Sequence, residues 1–204
     1  MIEFEKDGGL WTATINRPDK ANSLTHQMLT QLADFAEEAQ AARVFILTGR
    51  GNVFSAGADL GEAHTGLATS GVWERLSGAI AALPGLSIAA LNGTLAGGAM
   101  GMALACDVRL SVPNANFFYP VMKLGFLPQP SDPGRMSALI GPSRTKLMLM
   151  GGQKLNASDA LGFGLVDQLV PPEDLMTAAL VLANDTLSAK PGIAAGIKGL
   201  CRQV

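Results

Sequence analysis

Gly97-Gly98 is the pair in this chain that could do chemistry with no side chain at all. It follows an apolar run, Leu86 to Leu91, and an Asn92-Gly93 turn signal, and it leads into Ala99 to Cys106, eight residues without a charge. A helix apolar on every side must be buried. A strand feeding such a helix through glycines leaves backbone N–H groups pointing outward, where the helix dipole favours negative charge. A phosphate-binding loop needs Lys-Ser/Thr after its last glycine, and Ala99-Met100 stand there instead. A dinucleotide fingerprint would need glycine at Ala96, and no Ser or Thr lies between Leu95 and Cys106 to act as a nucleophile. What remains is a bare N–H donor, suited to a developing oxyanion. Taken alone, the stretch reads more simply as close helix packing. A second stretch of the same kind, Phe54-Ser55-Ala56-Gly57-Ala58-Asp59-Leu60, also places a glycine just after an apolar strand.

These stretches need elements to hold them. Ile2 to Glu5 and Leu10 to Ile15, separated by Gly8-Gly9, read as a hairpin. Leu24, Met28, Leu32, Phe35, Ala36 and Ala39 form a helical stripe with Thr25 as its cap. Val44 to Thr48 is a buried strand; Val72, Trp73, Leu76, Ile80 and Leu83 mark a helix stopped by Pro84. Val108 to Ser111 and the aromatic run Ala115 to Tyr119 are strands. Helices follow from Asp132 to about Gly141, Ser143 to Met150 and Asn156 to Leu161; Leu165 to Val170 returns to strand. A helix from Pro171 to about Ser188 and another from Pro191 complete the chain. The alternation predicts an α/β fold of repeated ββα or βαβ turns.

The chain has 204 residues, 48% hydrophobic and 16% charged, with a formal net charge of −2. That size suits one domain with a real core. The charge gives no reason to expect a nucleic acid or anionic membrane partner. No apolar run approaches a membrane span, the N-terminus does not begin a signal peptide, and two isolated histidines suggest no metal site. Cys106 lies in the apolar helix, which argues against a disulfide framework and fits a reducing cytoplasm.

FSAGADL and NGTLAGGAMGMALACD, in that order, together with NRPDKANSL (Asn16 to Leu24) and KLNASDALGFGLVDQLV (Lys154 to Val170), resemble the crotonase superfamily, the enoyl-CoA hydratase/isomerase family. The resemblance covers nearly the whole chain. It implies a crotonase-like spiral of ββα units and an acyl-CoA substrate, with coenzyme A as part of that substrate and no tightly bound cofactor. It also implies an oxyanion hole made by the N–H groups of Ala58 and Gly98. Ala56, Asp59, Leu60 and Gly61 would border the CoA channel, and Lys20 and Ala21 would lie near the CoA phosphates. With both glycine stretches matched, the oxyanion reading outweighs simple packing.

The departures from the family pattern bear on the reaction. The two glutamates of the family's hydratases would fall at Gly101 and Val121, and the carboxylate of many isomerases and dehalogenases at Gln129. A neutral amide cannot take a proton from an acyl α-carbon, so ordinary hydration is not expected. Asp132, Tyr119 and Lys123 are the ionisable groups left near that path. Asp132 precedes Pro133 and reads two ways, as a helix cap or as the replacement general base. Tyr119 reads as core or pocket wall, Lys123 as solvated and His64 as a loop histidine.

Family members usually continue through further C-terminal helices. Residues 1–190 therefore read as the core domain and 191–204 as the start of a shortened helical region. A homotrimer or hexamer is expected. Three classes remain open: an acyl-CoA enzyme (isomerase, decarboxylase or thioester hydrolase), an acyl-CoA-binding protein without turnover, and a structural family member.

Overall fold

Successive strands of this chain enter two different sheets, and that switch generates the spiral. The computed structural model describes residues 1–201. Ile2–Asp7 (β1) and Leu10–Ile15 (β2) form the antiparallel hairpin, followed by His26–Glu38 (α1). The Thr25 side chain accepts from the Met28 N–H at 3.2 Å, the cap expected for α1. The next turn is Val44–Gly49 (β3), Val53–Ser55 (β4), the short Leu60–Ala63 (α2) and Val72–Ala81 (α3). Then come Leu86–Leu91 (β5), Thr94–Ala96 (β6) and Met100–Ala105 (α4). Val108–Ser111 (β7), Asn116–Phe118 (β8), Val121–Leu124 (α5) and Asp132–Leu149 (α6) make the last full turn. Leu155–Asn156 (β9), Ala157–Phe163 (α7), Gln168–Leu169 (β10), Leu175–Ser188 (α8) and Ile193–Cys201 (α9) complete the described chain.

One sheet has the order β1-β2-β3-β5-β7-β10 and the other β4-β6-β8-β9. Strands β3, β5 and β7 pair in parallel in the first sheet, and β4, β6 and β8 pair in parallel in the second. After the hairpin, the β3-β4, β5-β6 and β7-β8 pairs each contribute one strand to each sheet before the helix that follows, as the expected ββα spiral requires. The apolar runs of β3 and β5 are buried over nearly their whole length, the pattern of parallel strands covered on both faces. Helix α8 packs on β3, β5 and β7, while α1, α3, α4 and α6 pack in succession.

Several local expectations are corrected. The helix expected from Ala99 to Cys106 is a 3-10 turn, Gly97–Ala99, that passes into α4. The strand expected over Leu165 to Val170 shrinks to β10, because the Leu165 and Val166 N–H groups both turn back to the Ala160 carbonyl. The two helices expected around Gly141-Pro142 form one run, α6, kinked where Gly141 adopts φ 80°. Helix α9 starts at Ile193; residues 202–204 of the expected C-terminal region lie outside the described residues.

Candidate active site

The two glycine stretches meet in space. Gly57 has φ 92°, and a Cβ on it would lie 2.9 Å from the Ala96 carbonyl oxygen and 3.5 Å from the Gly98 nitrogen. Only glycine permits both that conformation and that approach. The next residue, Ala58, forms a parallel bridge with Leu24. That bridge uses the Leu24 N–H to the Gly57 carbonyl and the Asp59 N–H to the Leu24 carbonyl, each at 2.8 Å. The N–H of Ala58 itself is left on the opposite side, away from Leu24. Gly98 lies in the first helical turn before α4, where an N–H has no intrahelical acceptor. The Trp73 ring closes over Gly98: a Cβ there would lie 3.2 Å from it. Trp73 is itself fixed by its indole N–H, which donates to the Leu67 carbonyl at 2.8 Å.

Ala58 and Gly98 face a common cavity of about 320 Å³. Ala56, Gly97, Trp73, Tyr119, Val121 and Phe126 line it with them. Leu60, Ala63 and His64 of the α2 segment stand at its edge. The walls are apolar, which strengthens any hydrogen bond made to a negative oxygen inside.

Asp132 does not cap its helix. Its side chain makes no cap bond to α6; Oδ2 instead accepts from the Tyr119 phenol at 2.9 Å. Of the two readings of Asp132, the structure removes the cap. The residue is fully buried, and Oδ1 has no hydrogen-bond partner. The carboxylate fits because position 101 is glycine: a Cβ on Gly101 would lie 2.6 Å from Oδ1. Burial pushes the Asp132 carboxyl up to about 6, against the lowering effects of the Tyr119 bond and the Arg135 charge. Glu74, on α3, raises it further and accepts from both the backbone N–H and the hydroxyl of Ser131. Burial and the neighbouring Asp132 charge raise the Tyr119 phenol far above its ordinary range, so it stays protonated. Tyr119 also accepts from the Gln129 N–H at 3.4 Å, while the Gln129 side chain turns to the Ala68 carbonyl.

The other predicted residues divide. Ala56 and Leu60 border the cavity; Asp59, Gly61, Lys20 and Ala21 do not line it. Ala21 lies against that wall, its carbonyl accepting from the Ala56 N–H at 3.0 Å. Asp59 accepts from Arg17 at 2.7 Å and caps α2 through the Gly61 N–H at 3.0 Å. The Arg17 hydrogen bond is the main cause of its lowered carboxyl pKa. Lys20 and Lys123 are exposed, and His64 is exposed at the cavity edge. Sequence reasoning missed Trp73 as a wall of the site, because its spacing marked it only as helix core. It also missed the Arg17–Asp59 pair, which joins residues 42 apart. Among the described residues, no group of three or more His, Cys, Asp or Glu could hold a metal, and no helix is long and apolar enough to cross a membrane.

The ββα spiral defines a class of fold, and the comparisons agree with that class. The family model described as enoyl-CoA hydratase/isomerase matches residues 5–203, and the chain belongs to this family, within the crotonase superfamily. It is 33% identical to the short-chain-enoyl-CoA hydratase of Clostridium acetobutylicum, over 93% of this chain and 76% of that protein. An enoyl-CoA hydratase structure from Bacillus anthracis superposes with a TM-score of 0.92 at 28% identity, covering 99% of this chain and 82% of that one. Pseudomonas aeruginosa DspI superposes with a TM-score of 0.89 at 31% identity, over 98% of this chain and 86% of that one.

Proposed function

We propose that this chain is an enzyme acting on acyl-CoA thioesters, whose enolate it stabilises with the N–H groups of Ala58 and Gly98. The observation that carries this reading is the meeting of the two glycine stretches beside one apolar cavity. A preorganised donor of this kind is worth roughly a hundred- to a thousand-fold in rate. Coenzyme A enters as part of the substrate, past Ala56 and Leu60 at the cavity and on over Asp59 and Gly61 outside it, with Lys20 and Ala21 toward its phosphates. No other cofactor is needed for proton transfer next to a thioester.

Ordinary hydration is disfavoured. The positions that the family resemblance gives to the hydratase glutamates are Gly101 and Val121, and neither side chain can activate water. Asp132, buried between Gly101 and Tyr119, is the carboxylate that takes over the proton chemistry. The reaction is then one that passes through an enolate: isomerisation, decarboxylation or exchange at the α-carbon. The working form is a homotrimer or hexamer, and the two free thiols, Cys106 and Cys201, suit the cytoplasm. A panel of saturated, unsaturated and carboxylated acyl-CoA thioesters, followed for product by mass spectrometry and for binding by calorimetry, tests the reading. Turnover of at least one thioester, with crotonyl-CoA left unhydrated, is the expected result. Absence of binding across the panel would overturn it.

A further inference from the structure

We infer that Tyr119 is the group that meets the substrate's α-carbon, and that Asp132 is the buried proton store behind it. The inference rests on the acyl-CoA reading above. Tyr119 lines the cavity with Ala58 and Gly98, whereas Asp132 is fully buried and lines none of it. The hydrogen bond from the phenol to Oδ2, 2.9 Å long, links them. A carboxylate that cannot reach the cavity can still act on it through that phenol.

The step balances without any further reagent. The α-carbon's C–H bond breaks and its electron pair becomes the enolate double bond, with the charge on the oxygen held by Ala58 and Gly98. The proton passes to the Tyr119 oxygen, while the phenol's own proton passes to Asp132 Oδ2. Reversal returns a proton to the α-carbon, and the pair ends as it began. The Gln129 N–H, at 3.4 Å from the Tyr119 oxygen, steadies negative charge there during transfer.

The charges around the pair tune this store. Arg135, on the same helix, favours the carboxylate, whereas Glu74 on α3 opposes it and so does burial. Asp132 is thereby pushed up to about 6, within the range where a base can both accept and return a proton near neutrality. His64 is the other ionisable side chain at the cavity, and it stands at the exposed edge.

Deuterium exchange at the α-carbon of hexanoyl-CoA in heavy water reads the step directly. Tyr119→Phe is expected to slow exchange at least a hundred-fold while hexanoyl-CoA still binds by calorimetry. Asp132→Asn is expected to slow it comparably and to abolish a rise in rate with an apparent pKa near 6. His64→Gln is expected to keep exchange far above the level left by Tyr119→Phe. The inference is overturned if Tyr119→Phe exchanges like the parent, if the parent binds without exchanging, or if His64→Gln is the variant that loses exchange. Failure of the parent to bind hexanoyl-CoA or any shorter thioester would instead remove the acyl-CoA reading, and the relay with it.

Discussion

The Asp132 carboxylate occupies the space that a side chain on Gly101 would need. A Cβ built on Gly101 would lie 2.6 Å from Oδ1, 3.0 Å from Oδ2 and 3.1 Å from Cγ. Glycine in a helix interior costs roughly 0.5–1 kcal/mol relative to alanine. At position 101 that cost makes room for a buried acid, so the two residues form one unit although they are far apart in sequence.

A double-mutant cycle exposes the coupling. Gly101→Ala alone is expected to destabilise the fold by about 1–3 kcal/mol through overpacking. In an Asp132→Ala background the same change is expected to cost well under half as much. Urea denaturation of the four proteins measures both numbers. Equal costs in the two backgrounds would mean that Asp132 is not held against Gly101.

The same contact limits any attempt to restore hydration. Crotonyl-CoA hydration by the parent is expected to lie near background. Gly101→Glu with Val121→Glu is expected to remain inactive while Asp132 is in place, since the new side chain must start where the carboxylate sits. Adding Asp132→Gly to that pair clears the space. Robust hydration by the parent, followed at the absorbance of the enoyl thioester, would contradict the assignment of these positions.

Stability should fall as pH rises through the titration of Asp132. Its folded-state pKa, about 6, lies above the ordinary carboxyl value near 4, so the folded chain holds the extra proton between those limits. The contribution of the protonated form is complete below pH ~4 and lost as pH passes 6, on the order of 2–3 kcal/mol in all. Asp132→Asn keeps an acceptor for the Tyr119 phenol and does not titrate. Denaturation from pH 4 to 7 should therefore show the parent losing stability relative to Asp132→Asn. Parallel profiles would show that the carboxyl is not raised in the fold.

Much of this arrangement was readable from local pattern, and the rest depended on contacts between distant segments. Thr25 could be read as a cap because its partner, Met28, is three residues away. The two glycine stretches were legible because each carries its strand and its glycine in one short segment. Asp132 was ambiguous for the opposite reason. Asp before Pro has the local signature of a helix start, but its side chain is captured by Tyr119, thirteen residues earlier. Strand β6 and helices α2 and α5 are only three or four residues long, too short for a period to show. The Arg17–Asp59 pair is a tertiary contact that no spacing announces.

Self-association should run through α9. Ile193, Ile197 and Leu200 are exposed at 52, 58 and 69% and lie near one another at helical spacing. The helix is tied to the body by Lys198, which donates to Asp107 at 2.7 Å and to the Gly85 carbonyl at 3.1 Å. Light scattering on a size-exclusion column is expected to show a trimer or hexamer. Ile197→Asp, which leaves Lys198 in place, is expected to weaken assembly. A parent that elutes as a monomer at micromolar concentration would contradict this.

The thioester carbonyl itself reports most directly on the two N–H groups. Infrared difference spectra of bound crotonyl-CoA, labelled with carbon-13 at the carbonyl, read the polarisation of that bond. Two donors from Ala58 and Gly98 should shift the carbonyl stretch to lower frequency on binding. Replacing the amide of Gly98 by a backbone ester, which deletes one donor and adds no side chain, should reverse a large part of the shift. A bound carbonyl at the frequency of free thioester, or a shift untouched by the ester, would contradict an oxyanion hole at these residues.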